Sequence, residues 1–142
     1  MTSEDSRAAL MRLMQAVAVS GDIASALQQH VTPSIVVHMP NGDIGQGAIA
    51  AGFLGEGYEA FPDLTLTLES MTIEGDRAAL QFSMEGTHTG AIRNFPPTGK
   101  VVDIPICTIL RFEAGRIAEI WYYANLYAPL FGSLGVDQSH TG

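Results

Sequence analysis

Between Val101 and Asn125 the chain reads as two long strand segments, Val101 to Phe112 and Ile117 to Asn125, meeting at Glu113-Ala114-Gly115-Arg116. Runs rich in branched and aromatic residues on either side of a Gly-containing turn are the pattern of a β-hairpin. Side chains alternate between faces along a strand, so the second arm has Ile117, Glu119, Trp121, Tyr123 and Asn125 on one face and Ala118, Ile120, Tyr122 and Ala124 on the other. With Ala114-Gly115 as a two-residue turn, Trp121 pairs with Thr108, Tyr123 with Ile106 and Asn125 with Ile104. A slip of one residue would exchange the faces. A face carrying Trp, Tyr, a carboxylate and an amide has the make-up of a ligand-cavity wall, or else of a half-buried sheet surface.

The segments before this hairpin supply helices and further strands. Leu10, Met11, Leu13, Met14 and Val17 recur at helical spacing after Ser3, with Ser3 or Ser6 as the capping residue. Gly21 ends that helix, and Asp22 opens a shorter one through Gln29. Ser34 to Met39 reads as a strand ending near His38, and a third helix is expected from about Gly47 to Glu59, with Ile49 and Phe53, together with Leu54, turned to the core. Leu64 to Glu69 and Ala78 to Glu85 form a second hairpin around Ile73-Glu74-Gly75-Asp76-Arg77, and Leu80, Phe82, Met84 and His88 share one face of its returning strand. Helices first and antiparallel strands afterwards predict an α+β domain, with helices packed on one face of a curved sheet.

A chain of 142 residues fits one domain, expected over residues 1–135, followed by a small, polar and loose tail over 136–142. Only 15% of residues are charged, against roughly 25% in an average domain, so apolar surface is expected to be hidden in a pocket or between subunits. The formal charge of -8 lacks the basic footprint of a nucleic-acid or anionic-membrane binder. Cys107 is the single cysteine, which suits a reducing setting, and nothing approaches 18 uninterrupted apolar residues. A cytoplasmic protein is expected.

The chemistry is narrowed by elimination. His30, His38, His88 and His140 show no metal-ligand spacing, and no phosphate-binding or dinucleotide glycine pattern occurs, so neither a metal nor another cofactor is expected. No Ser nucleophile elbow is present, and Cys107 lies mid-strand without an evident His partner. His38 is a candidate proton carrier near neutral pH, its structural alternative being a strand-end histidine bonded to backbone. His88 is a second candidate, within a Gly-Thr loop. Glu119 has Arg111, Arg116 or solvent as alternative partners. Phe53, Phe82 and Met84 are core residues that would also line any cavity opening between helices and sheet.

Phe61-Pro62-Asp63, Gly86-Thr87-His88-Thr89-Gly90, Pro96-Pro97-Thr98-Gly99, Glu113-Ala114-Gly115-Arg116-Ile117 and Glu119-Ile120-Trp121, in that order, resemble the SnoaL-like polyketide cyclases over roughly residues 5 to 135. The resemblance implies the nuclear transport factor 2-like fold, a cone-shaped α+β barrel whose mixed sheet and N-terminal helices enclose a deep pocket, usually in a homodimer. It also implies cofactor-free closure of a polyketide ring by an intramolecular aldol reaction. An acid/base Asp is then expected four residues after the Trp, where this chain has Asn125, an amide that can hold an oxygen but not take a proton from carbon. On that reading His38 is the base, Asn125 orients a substrate oxygen, and Phe53, Phe82, Met84, His88, Thr108, Trp121 and Tyr123 shape a pocket for a hydrophobic small molecule. Cofactor-free hydroxylation, epoxide opening and non-catalytic ligand binding are the competing functions.

Overall fold

The computed structural model describes residues 2–20, 23–91 and 96–125. Three helices, α1 (Ser3–Ser20), α2 (Ile23–Gln29) and α3 (Ala48–Ala60), accompany six strands: β1 (Val31–His38), β2 (Ile44–Gln46), β3 (Thr65–Glu74), β4 (Arg77–Thr87), β5 (Val101–Glu113) and β6 (Arg116–Ala124). The strands form one mixed, curved sheet in the order β2-β1-β6-β5-β4-β3, in which only β1 and β6 run parallel. The expected α+β architecture is therefore present. The expected tail over 136–142 lies outside the described residues.

All three helices lie on one face of the sheet. Ala9, Leu10 and Leu13 of α1, Ala26 of α2 and Ala50 of α3 bury against Ile35, Val37, Leu80, Leu110, Phe112 and Ile120. A second cluster of Ala60, Phe61, Met84, Val102 and Ile104 continues the core beyond the end of α3. Ile49, expected inside, is 63% exposed, and Ala50 takes the buried position instead. Phe53 is half-buried as expected, whereas the side chain of Leu54 lies outside the described ones.

Helix α1 starts differently from the sequence expectation. Thr2 caps it: its Oγ1 accepts the Asp5 N–H at 3.1 Å while its own N–H donates to the Asp5 carboxylate at 3.0 Å, a reciprocal pairing that satisfies two helix-end donors. Ser3 and Ser6, the expected caps, instead grip the β3–β4 turn. The Gly75 N–H donates to Ser3 Oγ at 2.8 Å, and Ser6 Oγ donates to the Gly75 carbonyl at 2.6 Å. By contrast α3 has no side-chain cap at Gly47, no acid in its first turn and no base in its last.

The β5–β6 hairpin shows the main departure in register. Its turn is the expected two-residue Ala114-Gly115, with φ of 51° and 81°, and Glu113 pairs with Arg116. One step further on, Phe112 pairs with Ile117 but Arg111 with Glu119, so Ala118 is an extra residue in β6, a β-bulge. Every later pair is displaced by one: Trp121 stands opposite Ile109, Tyr122 opposite Thr108, Tyr123 opposite Cys107 and Ala124 opposite Ile106. The bulge lets Ile117, Ala118 and Ile120 all be buried, and it exchanges the two faces of the strand beyond it.

Candidate functional site

A two-lobed cavity opens between the helices and the inner face of the sheet. The larger lobe, of about 300 Å³, is walled by α1 and α2 through Leu10, Leu13 and Leu27, and by the sheet through Leu80, Phe82, Thr108 and Tyr122, among others. The smaller, of about 150 Å³, lies under α3 against Phe53, Glu56, Phe61, Met84 and Ala124. Tyr58, Leu66, Ile106 and Tyr122 border both lobes, so the two adjoin. An apolar cleft of this kind with a few polar groups is the usual form of a small-molecule site.

The polar groups on its wall are few. Among the described residues Glu56 is the one charged residue lining either lobe, and hydroxyls come from Tyr58, Thr108 and Tyr122. Thr108 is 4% exposed, and its Oγ1 meets no hydrogen-bond partner among the described residues. Burial pushes the Tyr122 phenol up to about 12, so it remains an O–H donor at any physiological pH.

The residues singled out in the sequence divide between three places. Phe53, Phe82, Met84 and Thr108 line the cavity. Trp121 and Tyr123, expected on the pocket wall through the unbulged register, stand on the opposite, outer face, and Ile120, Tyr122 and Ala124 take their place inside. His88 is fully buried beside the Phe61 ring, at 5.4 Å between ring centres, and borders neither lobe. Its Nδ1 accepts the Thr98 N–H at 3.1 Å and lies 2.9 Å from Thr98 Oγ1, and its backbone holds Gly99 and Lys100, so it closes the base of the β4–β5 loop. Asn125 follows β6 at an exposed position.

His38 also faces outward. Its Nε2 lies 2.7 Å from Glu119 Oε2, and its ring stacks on Trp121 at 5.0 Å with 6° between planes. Arg111 donates to the other Glu119 oxygen at 3.1 Å and to Glu113, while the Arg77 guanidinium sits 5.2 Å from the centre of the Trp121 ring. Burial would raise the Glu119 carboxyl, but hydrogen bonds from His38 and Arg111 outweigh it and hold it below the usual range. Of the alternatives open for Glu119, Arg111 is the partner found.

Sequence reasoning missed Glu56, Tyr58 and Tyr122. Only a correct register would have turned Tyr122 inward, and a carboxylate in a glycine-rich helix carries no signal of its own. Among the described residues no three His, Cys, Asp or Glu side chains gather to hold a metal ion, and no helix is long and apolar enough to cross a membrane.

The motifs behind the family resemblance are joints that frame this cavity. Asp63 accepts the Thr87 N–H at 2.7 Å and the Thr87 hydroxyl at 2.8 Å, bonds that keep its carboxyl below the usual range and fasten the start of β3 to the end of β4. The SnoaL-like polyketide cyclase model matches residues 8–131, and the chain belongs to that family. Among solved structures it is similar to AclR, a candidate hydroxylase from Streptomyces galilaeus (30% identity, TM-score 0.74, covering 94% of this chain and 98% of that one). It is also similar to IdmH, a candidate polyketide cyclase from Streptomyces antibioticus (26%, 0.70, 92% and 99%). A candidate SnoaL-like polyketide cyclase from Jannaschia sp. CCS1 shares the fold at 23% identity (0.78, 89% and 92%). No curated protein matches the sequence.

Proposed function

We propose that this protein is a cofactor-independent enzyme that holds a flat, carbonyl-rich, polyketide-type molecule in the two-lobed cavity and promotes ring closure by proton transfer beside a carbonyl. The observation carrying this reading is the wall itself: apolar on almost every side, and lined among the described residues by one carboxylate-bearing side chain, Glu56, and three hydroxyl-bearing ones. On this reading Glu56 takes the proton from a carbon next to a carbonyl. The resulting enolate carbon attacks a second carbonyl of the same molecule, forming a carbon–carbon bond, and the new alkoxide takes the proton back. A positioned base contributes about 10²–10⁴-fold, so Glu56→Gln is expected to lower turnover of a linear polyaromatic keto-ester about 100-fold, followed by chromatography of the cyclised product. His38→Ala, on the outer face, is expected to change it less than twofold. The reverse pattern would move the chemistry to the outer face and sink this assignment.

The similarity to AclR favours hydroxylation as a second reading. Uptake of labelled dioxygen into product, in place of ring closure, is its signature. Binding without turnover under either assay would leave a ligand carrier.

The outer face supports a homodimer. Ala79, Cys107, Ile109, Trp121 and Tyr123 occupy its centre; Arg77 stands opposite Arg111 towards one end, and Glu85 opposite Asp103 towards the other. Like charges directly across a strand pair are unfavourable. A second copy turned by a two-fold axis lays Arg77, whose row also holds Glu74 and the Glu119-bound Arg111, over the Glu85 and Asp103 end of the other sheet.

A further inference from the structure

We infer that the Thr108 and Tyr122 hydroxyls act together as a two-donor anchor for a neutral carbonyl oxygen on an aromatic ring, and so select ring ketones over hydrocarbons of the same shape. The inference rests on the reading of the cavity as a small-molecule site. The bulge at Ala118 makes the two residues direct cross-strand neighbours, on β5 and β6, facing the same lobe. Neither hydroxyl is engaged by another described residue: Thr108 Oγ1 is buried and unbonded, and no hydrogen bond reaches the Tyr122 phenol. Buried hydroxyls are ordinarily satisfied, and leaving one without a partner lowers stability, so an empty protein that keeps Thr108 there forgoes stability that a bound acceptor would restore.

The chemistry of the acceptor follows from the surroundings. A carbonyl oxygen has two lone pairs and accepts two donors at once, which matches a pair of hydroxyls on adjacent strands. The phenol, held protonated by burial, donates rather than accepts. Among the described residues no positive charge lines either lobe, so a carboxylate or phosphate would be buried without compensation, whereas a neutral ketone or quinone oxygen would not.

The test compares 1-tetralone with tetralin, bicyclic rings alike in shape and differing by one carbonyl, titrated into the full chain by heteronuclear NMR. The ratio of their Kd values in wild type is expected to favour tetralone by about fivefold more than in Thr108→Val/Tyr122→Phe, the size of a typical net hydrogen bond. Thr108→Val, which keeps the shape, is also expected to raise the Tm of the ligand-free protein by about 3–6 °C. An unchanged Kd ratio in the double variant, or a Tm lowered by Thr108→Val, overturns the anchor while leaving the pocket standing. If wild type binds neither probe, the pocket reading fails and takes the anchor with it.

Discussion

Gly90 shows how a single hydrogen atom can hold a loop in place. A Cβ at that position would lie 1.9 Å from the Glu59 carbonyl oxygen and 3.2 Å from the Ala60 Cα, because the Thr89 and Gly90 N–H groups both donate to the Ala60 carbonyl. The neighbour is backbone and cannot swing aside, so Gly90→Ala is expected to cost about 3 kcal/mol or more, read as a fall in the urea midpoint at constant slope. Tyr122 supplies a second residue-scale prediction. An unfolded tyrosine ionises near 10, whereas the folded phenol holds its proton to about 12, so the unfolded chain binds fewer protons between those values. Stability should therefore be intact below pH 10 and fall by about 2 kcal/mol towards pH 12. Tyr122→Phe should remove that part of the alkaline loss, measured by urea unfolding at pH 9 and pH 11.

Among the elements, β6 shows where the sequence was legible and where it was not. The strand, its two-residue turn and the family motifs could be read directly, because turn chemistry and branched runs are local properties. The bulge could not, since Ile117-Ala118 looks like ordinary alternation and the extra residue is defined only against Arg111 and Phe112 on the partner strand. That one unseen step moved Trp121 and Tyr123 out of the pocket and brought Tyr122 in. Thr108, expected in the pocket as the partner of Trp121, lies there opposite Tyr122 instead, and Phe82 and Met84 share its face through the β4–β5 ladder, which runs without a shift. His38 lay beyond reach for a different reason: a β1–β6 pairing is parallel and long-range, and nothing local says which face the strand end presents. Deleting Ala118 is expected to remove the bulge while leaving Glu119 opposite Arg111 and Tyr122 opposite Thr108, so the faces beyond it are kept. A dispersed amide spectrum with nuclear Overhauser contacts between Thr108 and Tyr122 checks this, and loss of cooperative unfolding would show that the fold depends on the extra residue.

At the scale of the whole molecule, the proposed dimer predicts a charge-dependent association. Arg77 has Trp121 under its guanidinium and no ion-pair partner among the described residues, which leaves it a cation that the Glu85 and Asp103 end of a second copy can meet. Arg77→Glu is expected to weaken self-association by about tenfold or more in sedimentation equilibrium, and Glu85→Arg in the same chain to recover part of it. A monomer in wild type at high concentration would remove the interface altogether. The cavity, too, has a fastened side and a loose one. Ser3 and Ser6 bolt α1 to the Gly75 turn, whereas α3 lacks side-chain caps and contains Gly52, Gly55 and Gly57, none of which would crowd an added Cβ. Each such glycine costs a helix about 1 kcal/mol relative to alanine, with no packing return. The α3 side is therefore the expected entrance: Gly52→Ala with Gly55→Ala should raise the Tm and yet slow probe exchange several-fold by NMR lineshape, and unchanged exchange would place the entrance elsewhere. On that expectation the helix that admits the ligand also carries Glu56, so entry and proton transfer would share one wall.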